Sequence, residues 1–255
     1  MTEPLFTGVG VALVTLFHED GSLDAAATAA LAGQLVELGV KAVVVAGSTG
    51  EAATLDADER DELIAAVRKE IPAEIPLVAG TGAPSARQAA ALTRQAADAG
   101  ADGFLVLSPP GSRDLPRYYA IVREAAGDRP LLAYHFPATS SPGIPLDALA
   151  GLPVDGCKDS SGDPGRLLLT LSSFDRPLYV GSDALLALAG PLGCAGAILA
   201  LANAEPERCI AAFSGDAAAQ LALADPHRRC AGRFPEGIKS LTGARFGTGK
   251  AQRLT

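Results

Sequence analysis

Eight short apolar runs, rich in β-branched residues and spaced about 20 to 35 residues apart, recur between Gly8 and Leu201. They predict strands at 8–17, 41–46, 75–79, 103–107, 131–134, 154–157, 178–180 and 193–201. Each is apolar throughout rather than on alternate residues, as a strand covered on both faces must be. Seven of the eight are followed by a segment of helical period. The first is predicted from Asp24 to Leu38, with Leu31, Leu35 and Leu38 on one face and Gly39 as its stop. The second starts at Asp56 or Asp58 and ends before Pro72. The others are expected at 85–99, 115–126, 146–150, 163–171 and 183–189.

Eight strand–helix units favour an α/β fold closed into a (β/α)8 TIM barrel, and 255 residues suit one such domain. An open doubly wound sheet would place a glycine-rich G-x-G-x-x-G loop after its first strand, and none is present there. The barrel is assigned to residues 1–204. Residues 205–255 are expected as a short helical extension packed on it, with a last firm helix at 234–242 and a loosely specified tail from 243.

The net charge of −8, with no run of Lys or Arg to offset it, argues against nucleic acid. No apolar run reaches the length of a membrane span, and the amino terminus has no basic, apolar and cleavage-site sequence of a leader. Cys157, Cys194, Cys209 and Cys230 form neither a CxxC nor a metal-ligand cluster, so they read as free thiols in a reducing, cytoplasmic setting. No metal site and no cofactor are expected.

In a barrel every strand opens onto one face, and chemistry is assembled from those openings. The polar residues there are Ser48, Thr49, Glu51, Thr81, Ser108, Tyr134, His135, Lys158, Asp159, Ser160, Ser182 and Asp183. This set offers one amine, one phenol and several hydroxyls. Burial disfavours an ammonium, and a neutral lysine amine adds to a ketone, loses water and leaves an iminium that lets the adjacent C–C bond break or form. Tyr134 could carry the protons. A lysine paired with Asp155 or Asp159 is the competing structural role for Lys158, and an ordinary rim tyrosine that for Tyr134. The turn Gly47-Ser48-Thr49-Gly50 could converge backbone N–H groups on a carboxylate, or be only a strand-to-helix turn. Gly193 and Gly196 suggest close backbone approach at the eighth strand, with room for substrate beside Gly196 and Ala197 or plain packing.

G-S-T-G-E (47–51), Y-H-F-P (134–137), G-C-K-D-S (156–160), Y-V-G-S-D (179–183) and G-C-A-G-A-I (193–198) together resemble the pyruvate-type class I aldolases. That family contains dihydrodipicolinate synthase, N-acetylneuraminate lyase and 2-keto-3-deoxygluconate aldolase. The likeness covers residues 5–200 and, weakly, F-P-E-G-I-K-S at 234–240. It implies a (β/α)8 barrel with a helical extension, a homo-oligomer (tetramer or dimer), and pyruvate with a small aldehyde or 2-keto acid as substrates. It further implies Lys158 as the Schiff-base lysine, Tyr134 as the proton relay, Ser48 as a hydroxyl linked to that tyrosine, and Thr49 as a carboxylate-binding residue.

Within the family, the synthase branch carries an arginine for the acceptor's carboxylate where this chain has Thr139, and a tyrosine pair where it has Pro110 and Gly111. The loss of a cationic clamp is hard to replace at a carboxylate site. Ala138-Thr139-Ser140-Ser141, with Ser160, Ser161 and Ser182, instead forms a small hydroxylated wall, closer to the 2-keto-3-deoxy sugar acid aldolases. His135, where asparagine is frequent, contacts substrate or orients its loop. Cleavage of a 2-keto-3-deoxy sugar acid is therefore the leading expectation. Dihydrodipicolinate synthase or another aldolase or dehydratase of the family is the alternative, and a catalytically silent barrel in regulation or assembly is the non-enzymatic one.

Overall fold

A computed structural model describes residues 3–111 and 114–254. In chain order, β1 (Gly8–Ala12) leads to α1 (Ala25–Glu37), β2 (Val43–Val45) to α2 (Ala57–Glu70), and β3 (Leu77–Gly80) to α3 (Ala86–Asp98). Then come β4 (Gly103–Leu107) with α4 (Leu115–Ala126), β5 (Leu131–His135) with α5 (Leu146–Leu149), and β6 (Gly156–Asp159) with α6 (Pro164–Ser173). The last unit pair is β7 (Leu178–Val180) with α7 (Leu186–Ala189), and β8 (Gly196–Leu199) with α8 (Pro206–Phe213). Beyond it lie α9 (Ala217–Ala222), α10 (Ala224–Cys230) and α11 (Glu236–Phe246). Among the described residues the eight strands close in sequence order, β1 pairing in parallel with both β2 and β8. The fold is a (β/α)8 TIM barrel with a helical extension. No described helix is long and apolar enough to cross a membrane.

Local chemistry sets the helix starts. Asp24, Asp56, Ser85, Asp114 and Asp163 each accept a backbone N–H of the first turn, and Asp56 forms a reciprocal capping box with Glu59. Period-two alternation along the strands then builds two cores. Val9, Val11, Val43, Val45, Ala133, Cys157, Val180 and Ala197 face the helices. Ala42, Val44, Val78, Leu105, Leu132 and Ile198 fill the barrel. Phe6 closes the bottom: its ring packs 4.7 Å from that of Tyr179, whose hydroxyl donates to the Phe6 carbonyl and accepts its N–H.

Several expectations change: β8 is confined to Gly196–Leu199, which leaves Gly193 outside it with no close backbone approach among the described residues, and the last helix runs on to Phe246 rather than ending at 242. β1 stops at Ala12 rather than 17, because the N–H of Val14 goes to the buried Asn203 side chain and that of Leu16 to Thr28, not to strand partners. β6 begins at Gly156, since the Asp155 carboxylate turns back to Leu131 N–H and Arg123; Lys158 therefore lies within the strand, not beyond it. The tail is also specified: Arg253 and Leu254 both donate backbone N–H groups to Glu51, at 2.7 and 2.8 Å.

Gly196 faces the Phe6 plug. A Cβ there would sit 2.4 Å from the Gly8 carbonyl and 3.2 Å from the Phe6 ring. Gly196→Ala should destabilise the barrel by about 1–3 kcal/mol, measured as a lower urea midpoint; an unchanged midpoint would mean that β1 and β8 separate freely.

Candidate active site

Register brings the amine and the phenol together. Lys158 of β6 pairs with Tyr134 of β5 on one side and Tyr179 of β7 on the other. All three point into the barrel, and the Lys158 Nζ lies 4.3 Å from the Tyr134 ring centroid. Both Lys158 and Tyr134 are buried, at 4% and 5% exposure. Among the described residues no carboxylate is within ion-pair distance of Lys158, because Asp155 is paired with Arg123 and Asp159 with Arg166. The competing role of a salt-bridged lysine thereby loses its partners.

The space that makes this possible is left by Gly181. A Cβ at that position would fall 1.8 Å from the Ser160 hydroxyl and 2.9 Å from Lys158 Cε. Above the amine opens a cavity of about 320 Å³, lined by Ser48, Thr49, Tyr134, Lys158, Ser160 and Ser182 among the expected residues. Phe136, stacked on Tyr134 at 5.7 Å, and Ile198 supply apolar wall. Ser160 Oγ is 3.5 Å from the Tyr134 hydroxyl. Ser48, expected to be linked to the phenol, lines the same cavity, but among the described residues the hydroxyl in reach of Tyr134 is that of Ser160.

The turn at 47–50 leaves backbone donors free. Gly47 O accepts from Gly50 N–H and Ala52 N–H, and Ser48 O from Glu51 N–H. Among the described residues the N–H groups of Ser48 and Thr49 have no partner, which suits an anion. The glycines are not what bends this turn: the left-handed residues are Ala46, with φ 50°, and Glu51, with φ 54°. A Cβ at Gly47 would meet Val44 Cγ1 at 3.9 Å, an ordinary contact. Gly50 is needed for contact: its carbonyl accepts from Thr15 at 2.7 Å, and a Cβ there would fall 2.9 Å from the Thr15 hydroxyl oxygen.

Gly47 and Gly50 shape the turn without lining the cavity, and four other expected binding residues lie elsewhere. His135, one residue after Tyr134, faces outward; its Nδ1 accepts Ile144 N–H at 2.8 Å, and burial holds its pKa below the ordinary imidazole range. With Asp159 and Arg166, which donates to the Ile144 carbonyl, it fixes the 136–144 loop. Thr139 is carried away from Lys158 because Ser140 donates to the Ser108 carbonyl and Gly111 N–H to that of Ser141. It lines an adjoining apolar hollow of about 610 Å³ with Gly82, Pro84 and Leu107. Gly196 sits at the plugged end, and Ala197 points into the helical layer, so β8 offers Ile198 in their place.

Other lining residues were not foreseen. Gly181 stood within Y-V-G-S-D, where a glycine before two polar residues signals a need for space. His227, Cys230 and Phe234 reach the cavity from the extension, with His227 Nδ1 3.0 Å from the Asp183 carboxylate. Nothing local in the sequence places α10 there. Burial pushes the Cys230 thiol up to about 11.

The dihydrodipicolinate synthetase family model matches residues 5–239. The chain belongs to that family. It is thus a lyase of the class I, Schiff-base type. A DapA-like lyase of Halobacterium salinarum is 38% identical over 216 residues, covering 81% of this chain and 70% of the relative. The 4-hydroxy-tetrahydrodipicolinate synthase of Nitrosospira multiformis is 38% identical over 233 residues, covering 86% and 77%. Among solved structures, dihydrodipicolinate synthase of Acinetobacter baumannii complexed with pyruvate superposes with a TM-score of 0.89 at 28% identity, covering 98% of this chain and 92% of that one. A prophage protein of the family from E. coli K12, also in complex with pyruvate, gives 0.87 at 26%, covering 97% and 90%.

In this family enzyme Gly181→Ala tests the space around the amine. The added methyl must displace Ser160 and Lys158, so we expect turnover to fall by about a hundredfold while the barrel still folds. Unchanged turnover would show that neither side chain needs that position.

Proposed function

We propose that the enzyme makes or breaks a C–C bond between pyruvate and an aldehyde, acting on a 2-keto-3-deoxy sugar acid as a homo-oligomer. The observation that carries this reading is the cavity itself, which joins an unpaired amine, a phenol, a turn with free N–H groups and a wall of hydroxyls. The keto acid carboxylate sits on the Ser48 and Thr49 N–H groups, which brings its C2 carbonyl to Lys158. The amine adds to C2, and the carbinolamine hydroxyl leaves as water with a proton from Tyr134. The resulting iminium draws the C3–C4 bonding electrons into an enamine as Tyr134 takes the proton of the C4 hydroxyl. The aldehyde departs, C3 is protonated, and water hydrolyses the iminium to pyruvate and free Lys158.

Ser160, Ser161, Ser182 and Asp183 supply hydrogen bonds to the hydroxyls of the departing chain. A second reading has its own support. The 38% identical relative from Nitrosospira is a 4-hydroxy-tetrahydrodipicolinate synthase, which favours condensation of pyruvate with aspartate semialdehyde. Against it stands the charge of the acceptor. Among the described cavity residues only Lys158 and His227 can be cationic, and His227 is held by Asp183.

Incubation with pyruvate followed by borohydride should leave a reduced adduct on the peptide carrying Lys158, and none in Lys158→Ala; an unmodified wild-type peptide would refute the Schiff base. Rates for cleavage of 2-keto-3-deoxygluconate and for condensation with aspartate semialdehyde should differ by at least about tenfold in favour of cleavage. The reverse ranking would select the synthase.

A further inference from the structure

Glu51 and Lys239 form an ion pair in which both side chains are fully buried, and the proposed chemistry uses neither. Glu51 belongs to the turn that presents the Ser48 and Thr49 N–H groups, and its own N–H donates to the Ser48 carbonyl. It is held in the left-handed region, as is Ala46 at the other end of the turn. A non-glycine residue keeps that conformation only where its surroundings impose it.

Those surroundings are the residues that follow α11. Lys239 Nζ donates to the Ala251 carbonyl at 2.6 Å and lies 4.5 Å from the centroid of the Phe17 ring. The second oxygen of Glu51 accepts the N–H groups of Arg253 and Leu254. The Arg253 guanidinium donates to the carbonyls of Gly21 at 2.7 Å and Thr54 at 2.9 Å and forks onto the Glu59 carboxylate. Its other face covers Phe17, 4.3 Å away. One arginine thus ties the chain end to the β1 exit, to the turn that follows Glu51 and to α2.

We propose that residues 248–254 form a strap that sets the keto acid carboxylate site from behind, with Arg253 as its clasp and Glu51 as the link to Ser48 and Thr49. Arg253 touches no reacting atom; it is a positioning residue that acts through Glu51. The inference rests on reading the Ser48–Thr49 turn as the carboxylate site. Lys158 and Tyr134 stand on β6 and β5, away from the strap, so loosening it weakens capture of the keto acid and spares the later steps.

The test follows borohydride-trapped adduct on Lys158 against pyruvate concentration in the full chain. In Arg253→Ala the half-saturating pyruvate concentration should rise about tenfold, with the maximal trapping rate within about twofold of wild type. Arg253→Lys keeps the charge but cannot fork onto Glu59 while bonding both carbonyls, so it should give a smaller rise in the same sense. Its curve carries the test should the alanine variant not fold. Glu59→Ala combined with Arg253→Ala should add little to the shift of either alone, since both open one clasp. Half-saturation unchanged in both Arg253 variants, or a fall in maximal rate without a shift, overturns the strap while leaving the aldolase reading intact. Failure of the wild-type protein to trap pyruvate on Lys158 overturns that reading, and the strap's role in it.

Discussion

Parallel pairing of β5 with β6 at the level of Tyr134 and Lys158 is the constraint on which the site depends. Alternation along each strand sends these two side chains inward and their neighbours His135 and Asp159 outward. A slip of one residue would reverse both sets, placing a carboxylate and an imidazole in the barrel and the amine among the helices. The outward pair has its own work: Asp159 binds Arg166, Arg166 reaches the Ile144 carbonyl, and His135 receives the Ile144 N–H. The same register that exposes the amine to the cavity therefore also fastens the loop beside it.

The two buried lysines show how burial divides structural from chemical roles. Lys239 has Glu51 and a backbone carbonyl as partners; burial lowers its pKa while Glu51 opposes that shift. Removing either member would leave a charge in the interior with no counterpart, a change that typically costs about 3–5 kcal/mol. Lys158 faces a phenol ring and hydroxyls instead, with the nearby acids already committed to Arg123 and Arg166. An amine so placed is open to a carbonyl carbon.

Much of this was legible in the sequence, and the reason is locality. Strand number, helix caps and the identity of the polar strand exits all follow from runs of a few residues, and Lys158, Tyr134, Ser48, Thr49, Ser160 and Ser182 were named from them. Alternation could have separated the inward Ile198 from the outward Ala197, but only once the limits of β8 were known. What remained hidden depends on contacts across the chain: Thr139 is turned aside by bonds to the β4 exit, and His227 and Cys230 arrive from α10. The tail looked unspecified because a segment without helical or strand period gives no local sign of its partners, and those of Arg253 lie some 200 positions earlier.

The position of Thr139 bears on substrate choice more than its identity does. Even an arginine placed at 139 on this backbone would start from the adjoining hollow, beside Gly82 and Pro84, rather than from the wall above Lys158. An acceptor bearing a carboxylate would then enter a space already lined by the Asp183 carboxylate. Like charges in a confined site repel, whereas neutral hydroxyls can donate to Asp183 and exchange hydrogen bonds with Ser160, Ser161 and Ser182 without a charge to compensate. His227, bonded to Asp183, fixes the acid's orientation. The course of the 136–144 loop and the Asp183 carboxylate in the cavity are thus what support the proposed hydroxylated aldehyde.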